Sequence, residues 1–334
     1  MKCIVLFSGG LDSILATRLM LDQGLEVEAL HLINDFHPRL SAPGAGTPAR
    51  RAARLLGVPL HEMYEPDRFL AMLRNPQYGY GSNLNPCIDC RLLLLTLAKE
   101  RMAETGARFV VTGEVVGERP MSQRRDIMLA IEKRTGLTGY VVRPLSAQLL
   151  PPSIPESEGW VDRTRLLAIR GRSRKPQMAL AEKFGIRDYP TPAGGCLLTD
   201  PTFAARVRDL LRHEVHLTPA DIRLLKVGRH FRLAGGVRVV VGRNERENEE
   251  LLALAQPQDY LLDAADYPGP TTLVRGEATQ DVLREAAALT ARYGKGRGLA
   301  MVRVLMRRPA SGGETVYEVA PASEDFIAAH RIGS

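Results

Sequence analysis

Near the N-terminus an apolar run, Cys3-Ile4-Val5-Leu6-Phe7, breaks into Ser8-Gly9-Gly10-Leu11-Asp12-Ser13 and then into a helical pattern. No other feature constrains the fold as much. Two adjacent glycines let the backbone approach an anion, and the helix that follows turns its unpaired first-turn amides toward it. Phosphate can sit on such a turn without a lysine. The spacing is neither GxxxxGK[ST] nor GxGxxG, which disfavours a Walker ATPase or a Rossmann dehydrogenase at this position. The plain alternative is a tight strand-to-helix turn in which Asp12 and Ser13 merely start the helix.

Beyond this turn the pattern alternates. Residues 25–33 and 59–63 read as strands, residues 50–56 as a helix, and residues 108–112 as a buried strand ending in Thr112-Gly113-Glu114. Residues 140–145 read as a further strand and its exit. Strands separated by helices imply parallel pairing with right-handed crossovers, with ligands at the strands' carboxyl ends. Residues 38–48, rich in Pro, Gly and Ala, read as a loop on that edge. The expected fold class is therefore α/β: a parallel-sheet domain over residues 1–210 and a smaller α+β domain over residues 211–334. The 334 residues, 45% of them hydrophobic, suffice for two cores, and no apolar run reaches membrane length.

Four cysteines divide the chemistry. The opening does not read as a signal peptide, so a disulfide framework is not expected and a reduced, cytoplasmic setting is. Cys3, inside the first strand, reads as a small buried hydrophobe. Cys87-Ile88-Asp89-Cys90 follows the turn-rich Asn83-Leu84-Asn85-Pro86 and runs into a helix at residues 91–102, while Cys196 closes the glycine-rich loop Thr191-Pro192-Ala193-Gly194-Gly195. No second CxxC or HxxxH is present, which weakens a zinc reading. Two close thiols and a distant one suit a [4Fe-4S] cluster with one iron left open, or a persulfide resolved by a neighbouring cysteine.

Net charge is +7, from 45 basic and 38 acidic residues, and alone only hints at a polyanion. Its placement says more. Arg163, Arg165, Arg170, Arg172, Arg174 and Lys175 cluster with no acidic residue among them, and Arg124 and Arg125 follow Ser122-Gln123. We expect Arg124, Arg125, Arg170, Arg172, Arg174 and Lys175 to contact an RNA backbone, orienting it without reading its sequence. After Cys196 a helix is expected from Pro201, and from about Asp221 the chain reads as strand-like, through residues 237–241 and the string VGRNERENEEL at residues 241–251.

The SGGLDS string after an apolar strand resembles the signature of the PP-loop (N-type ATP pyrophosphatase, HUP-like) family, whose members adenylate a carbonyl oxygen, release pyrophosphate, and let a nucleophile displace AMP. The cysteine set resembles that of the cluster-dependent tRNA thiolation enzymes within it, and Arg119-Pro120-Met121-Ser122-Gln123 resembles a stretch of the thiouridine synthetase-like proteins. VGRNERENEEL with the strand-like residues 268–274 resembles the small RNA-binding domain of NFACT proteins. These resemblances imply an ATP-dependent tRNA sulfurtransferase without a THUMP domain. ATP and Mg²⁺ would bind at Ser8, Gly9, Gly10, Asp12 and Ser13, with Gly113 and Glu114 bordering the nucleotide and Asp12 facing the metal. Cys87, Cys90 and Cys196 would hold the cluster or carry the sulfur. The implied partners are tRNA and a sulfur donor, hydrosulfide or a persulfide carrier protein, and the favoured product is 4-thiouridine, with 2-thiouridine open. An amide-forming PP-loop ligase and a non-catalytic RNA-binding protein that kept a nucleotide pocket are the rivals.

Overall fold

In the computed structural model, described for residues 1–36, 46–190, 196–310 and 312–333, the chain divides into two compact units, Met1–Cys196 and Leu197–Ser334. The first contains β1 (Lys2–Leu6), α1 (Leu11–Leu21), β2 (Glu26–Ile33), α2 (Pro48–Leu56), β3 (Leu60–Tyr64), α3 (Pro66–Arg74), α4 (Cys87–Thr105), β4 (Phe109–Thr112), α5 (Arg125–Thr135), β5 (Val141–Val142), the short α6 (Ile154–Ser157) and α7 (Lys175–Lys183). Its five strands are all parallel, in the order β3-β2-β1-β4-β5. The order reverses between β1 and β4, so the loops after these two strands open the crevice in which doubly wound sheets bind ligands.

Strand alternation explains the two covered faces. Cys3, Val5 and Phe7 point to one side and join Ile14 and Leu15 of α1, Ala52 and Ala53 of α2, and Ala181 of α7. Ile4 and Leu6 point to the other, against Leu95 and Ala98 of α4 and Ile131 of α5. Cys3 is the buried hydrophobe expected of it, its thiol pushed up to about 12 by burial. Residues 140–145 pair as a strand only at β5, because Pro144 follows Arg143 and ends the ladder. The expected loop at residues 38–48 lies, but for its last three positions, outside the described residues.

The second unit comprises α8 (Pro201–His213), α9 (Pro219–Leu224), β6 (Arg229–Arg232), β7 (Arg238–Val241), α10 (Glu245–Leu254), β8 (Tyr260–Ala264), β9 (Thr272–Arg275), α11 (Gln280–Tyr293), β10 (Val302–Arg307), β11 (Glu314–Val319), α12 (Glu324–His330) and β12 (Arg331–Ile332). Its antiparallel sheet runs β11-β10-β8-β9-β7-β6-β12. One face buries Phe231, Val239 and Val274 against Leu283 and Ala286 of α11, and the other buries Val240 and Leu273 against Leu224 of α9 and Leu251 of α10.

Two expectations need correction here. The units part after Cys196 rather than after residue 210, because α8 belongs to the second: Asp209 pairs with Arg232 of β6, and Arg206 donates to Leu225 O at 2.9 Å. Second, residues 245–254 are helical, not strand-like, as are 219–224. Asn244 caps α10 by accepting from Glu247 N at 3.1 Å, and the ion pairs Arg243–Glu247 and Arg246–Glu250 brace its first turns.

Candidate active site

The turn after β1 is built by its own hydroxyls. Ser8 Oγ accepts from Gly10 N at 3.2 Å, and Ser13 Oγ donates to Gly10 O at 2.8 Å. Gly9 takes a φ of +73°, and a Cβ there would lie 2.4 Å from Ala49 N, so the start of α2 seats against a position only glycine can fill. Gly10, the N-cap of α1, brings no side chain to its first turn. The amides of that turn therefore remain available to an anion.

The Thr112-Gly113-Glu114 turn after β4 closes on this loop. A Cβ at Gly113 would stand 2.6 Å from Asp12 C and O and 2.7 Å from Ser13 N. Glu114, expected to border the nucleotide, is instead 2% exposed. It lies 3.1 Å from Arg91 Nε and 3.0 Å from Arg143 Nε, and accepts from Thr112 Oγ1 at 3.0 Å. Burial alone would raise its pKa, but Arg91 and Arg143 hold the carboxyl below its ordinary value. Arg143 also pairs with Glu132. Arg91 directly follows Cys90, so Glu114 ties the cysteine-bearing end of α4 to the turn that packs on Asp12.

Asp12 itself is half-buried, and its Oδ1 has no hydrogen-bond partner. Burial raises its pKa against the pull of Arg174, Gln177 and Arg119. Gln177, on α7, is 0% exposed with its amide turned to Asp12, and Arg174 Nε is buried and unpartnered. Glu118 completes the group: burial and then the charge of Asp12 push its carboxyl up, while Arg119 and Arg174 oppose. Unsatisfied buried polar atoms converging on one carboxylate mark a site that awaits a polar ligand.

Two loops assemble these residues. Residues 116 and 170 form a parallel bridge, with Gly171 N donating to Val116 O at 2.8 Å, which lays the basic run beside the RPMSQ stretch. Gln123, buried, closes that stretch by accepting from Arg119 N at 3.1 Å. A Cβ at Gly81 would strike Met121 Sδ at 2.0 Å, so the RPMSQ loop also packs on the segment leading to Cys87.

The cysteine pair occupies the start of α4. Cys87 is its first residue and Cys90 is one turn on, so both share a face. Asn85 Nδ2 donates to Cys87 Sγ at 2.9 Å, and Asp89 between the thiols accepts from Gln77 N and Tyr78 N at 2.8 and 3.1 Å, folding the preceding loop onto them. Burial pushes the Cys90 thiol up to about 11; the thiols of Cys196 and Cys87 add to the shift, and Arg91 and Arg119 oppose it. The three expected cysteines are all free and half-buried. Arg119 acts on Asp12 and on Cys90 alike. The rest of the loop before Cys196, residues 191–195, lies outside the described residues. Among the described residues no three His, Cys, Asp or Glu side chains are close enough to hold a single metal ion.

The basic residues separate. Arg163 pairs with Glu156 and donates to Ala147 O and Leu150 O, and Arg165 donates to Asp22 O, so these two serve the fold. Arg124 pairs with Asp126 on the surface, while Arg125, Arg170, Arg172 and Lys175 are exposed. Arg174 stands with Asp12. Arg91, Glu118 and Gln177 are absent from the expected site residues, and Arg119 enters only through the RPMSQ resemblance, because their roles depend on which loops meet. The Gln177 position carried one signal, a polar residue on the inward stripe of a helix.

A doubly wound parallel sheet with a glycine turn at its switch point is the arrangement in which such sheets bind phosphate-bearing ligands. Residues 1–153 match the family described as the tRNA methyl transferase HUP domain, and residues 228–331 match the NFACT protein RNA binding domain. The chain is thus similar to the PP-loop tRNA thiolation enzymes in its first unit and carries an NFACT-type domain in its second. It is 33% identical over 126 residues to the tRNA-specific 2-thiouridylase MnmA of Cutibacterium acnes, covering 34% of each chain. To that of Acidothermus cellulolyticus it is 27% identical over 237 residues, 66% of this chain and 60% of the relative. The chain spans about a third of the length of the first curated relatives it matches. A solved 4-thiouridine synthetase–RNA complex with bound ATP superposes with a TM-score of 0.35 at 21% identity, over 55% of this chain and 51% of that one. No helix among the described residues is long and apolar enough to cross a membrane.

Proposed function

We propose that this protein is an ATP-dependent tRNA sulfurtransferase that adenylates a uridine carbonyl and replaces its oxygen with sulfur. The observation that supports it best is that Glu114, which follows the Gly113 that packs on Asp12 and Ser13, pairs at 3.1 Å with Arg91, the residue directly after Cys90, so the glycine turn and the cysteine-bearing end of α4 are tied together. An amide-forming ligase has no use for that juxtaposition.

ATP would place its phosphates on Ser8, Gly9, Gly10 and Ser13 at the start of α1, with Gly113 packed beneath. Arg174 and Gln177 would complete the polar lining around Asp12. Asp12, whose Oδ1 lacks a partner, suits a Mg²⁺ ion that shares its remaining positions with phosphate and water, with Glu118 beside it. Such an ion would neutralise the phosphate charge. The target base leaves its stack, and its carbonyl oxygen attacks the α-phosphorus as pyrophosphate departs. A sulfur nucleophile adds to the activated carbon, loses its proton, and AMP leaves with the original oxygen. Backbone amides and Arg119 would do most by positioning and charge neutralisation.

A Cys90 thiol raised to about 11 does not ionise at neutral pH without a cation beside it. The donor set therefore fits a [4Fe-4S] cluster, which keeps each thiolate on a separate iron and needs no shared single-ion site. When bound at Cys87, Cys90 and Cys196 it would hold the sulfur to be transferred; with no cluster, a persulfide on one of these cysteines would serve. The relatives' names place the sulfur at uridine position 2, and the resemblance read from the sequence places it at position 4. Incubation of the anaerobically prepared protein with unmodified tRNA and Mg·ATP, once with sulfide and once with a persulfide donor plus a thiol reductant to reopen the disulfide left behind, followed by digestion and mass spectrometry, tests the reading. A 2- or 4-thiouridine is the expected product, and its absence sinks the proposal.

A further inference from the structure

The second unit gathers like charges where the sheet ends. Arg206 lies on α8, Arg229 opens β6, Arg243 follows β7, and Arg331 opens β12, which pairs with β6 through Arg331 opposite Phe231. Arg206 donates to Leu225 O, and its Nε is buried without a partner. Arg229 lies over the Tyr293 ring at 4.5 Å and donates to Gly242 O at 3.2 Å. Glu247 accepts from Gly228 N at 3.2 Å and from Arg243 N at 2.9 Å, fixing the turn that presents the Arg243 side chain. VGRNERENEEL thereby gains a purpose: its Gly242, Asn244 and Glu247 build the corner, and Glu247 holds the half-exposed Arg243 side chain against it.

Burial, then the charges of Arg243 and Arg331, lower Arg206 to about 10, and burial first, then the same two arginines, depress Arg229 against the opposing pull of Tyr293 and Glu247. Asp200 and Glu247 are the carboxylates that temper Arg206. Glu247 is already engaged by Arg243 and two backbone amides, so it offsets only part of the charge. Four guanidinium groups at one sheet edge repel one another, and a fold that holds them together gains most when an anion with several charges arrives. Planar guanidinium forks suit phosphate oxygens, and a row of them suits a phosphodiester backbone rather than a single phosphate. Arg206 lies outside the matched RNA-binding region of residues 228–331, so the site extends beyond it.

We propose that Arg206, Arg229, Arg243 and Arg331 form a phosphate-backbone site through which the second unit grips RNA, apart from the base that reacts. This rests on the reading that the substrate is tRNA. Its test uses the full chain without ATP or sulfur, so it is independent of catalysis. Binding of unmodified tRNA is followed by fluorescence anisotropy over a NaCl series. R243Q/R331Q alters two exposed side chains, and we expect it to flatten the plot of log affinity against log salt by roughly 1.5 to 2, about 0.9 per lost phosphate contact. R206Q should flatten it by about one more. R303Q/R307Q removes equal charge from β10, which three strands separate from β6 in the sheet, and should leave the slope near wild type. An unchanged slope in R243Q/R331Q, or equal flattening in both pairs, overturns the proposal even where the wild type makes thiouridine. A wild type that binds no tRNA overturns it together with the functional reading.

Discussion

Gly113→Ala probes the junction on which the nucleotide site depends. The added Cβ would lie 2.6 Å from Asp12 C and O and 2.7 Å from Ser13 N, where ordinary contact begins at 3.4 Å. Both sides of this contact are backbone, so no side chain can swing away. The Asp12–Ser13 peptide, or the turn after β4, must retreat by roughly 0.8 Å, and overpacking of this kind costs about 1–3 kcal/mol. A displacement near 1 Å at groups that position a reacting phosphate costs about 100-fold in rate. We expect tRNA-dependent pyrophosphate release by G113A to fall by roughly two orders of magnitude while the melting temperature drops only a few degrees. Gly159→Ala is the control: its φ is +70°, and nothing lies within 4 Å of its Cβ. It should lose about 1–2 kcal/mol through backbone strain and keep its rate. A folded G113A that releases pyrophosphate within twofold of wild type refutes the packing argument.

Three further outcomes follow from the same geometry. Glu114→Gln leaves Arg91 and Arg143 facing a neutral amide in a buried place and should cost about 3 kcal/mol in urea unfolding. Because its folded pKa is depressed, the contribution of Glu114 is present above the unfolded value of 4.5 and fades as pH falls through the lower folded one, so the E114Q deficit should shrink in acid. In the cluster-free protein, alkylation of Cys90 by iodoacetamide should rise about tenfold per pH unit up to about 11, and a plateau below pH 9 contradicts the burial argument. The raised thiol also makes stability fall as pH climbs from 9 toward 11. Arg119→Gln removes a charge that favours the Cys90 thiolate, so its alkylation profile should move to higher pH; an unmoved profile separates Arg119 from the thiols.

What the sequence disclosed was local. A strand, two glycines and a helix are contiguous, so the strand-to-helix turn was legible, as were the parallel strands and the placing of Cys87 and Cys90 one helical turn apart. Glu114 was assigned to the nucleotide because its strand end faces the crevice. Its burial follows from Arg91 and Arg143, 23 and 29 residues away along the chain, which no local pattern reveals. Arg174 reads as one more exposed cation until the 116–170 bridge carries it to Asp12. The helix at residues 245–254 could have been found: Asn244 followed by Glu247 is an N-terminal capping signal that the strand-like run before it obscured.

Uncoupling the two half-reactions tests the central claim, that one crevice activates an oxygen and delivers the sulfur that replaces it. C87A/C90A/C196A and wild type are each incubated with tRNA and Mg·ATP with sulfide, and pyrophosphate and thionucleosides are measured in the same samples. The account predicts that the triple variant still releases pyrophosphate but yields no thiouridine. Thiouridine formed at the wild-type rate by that variant contradicts it.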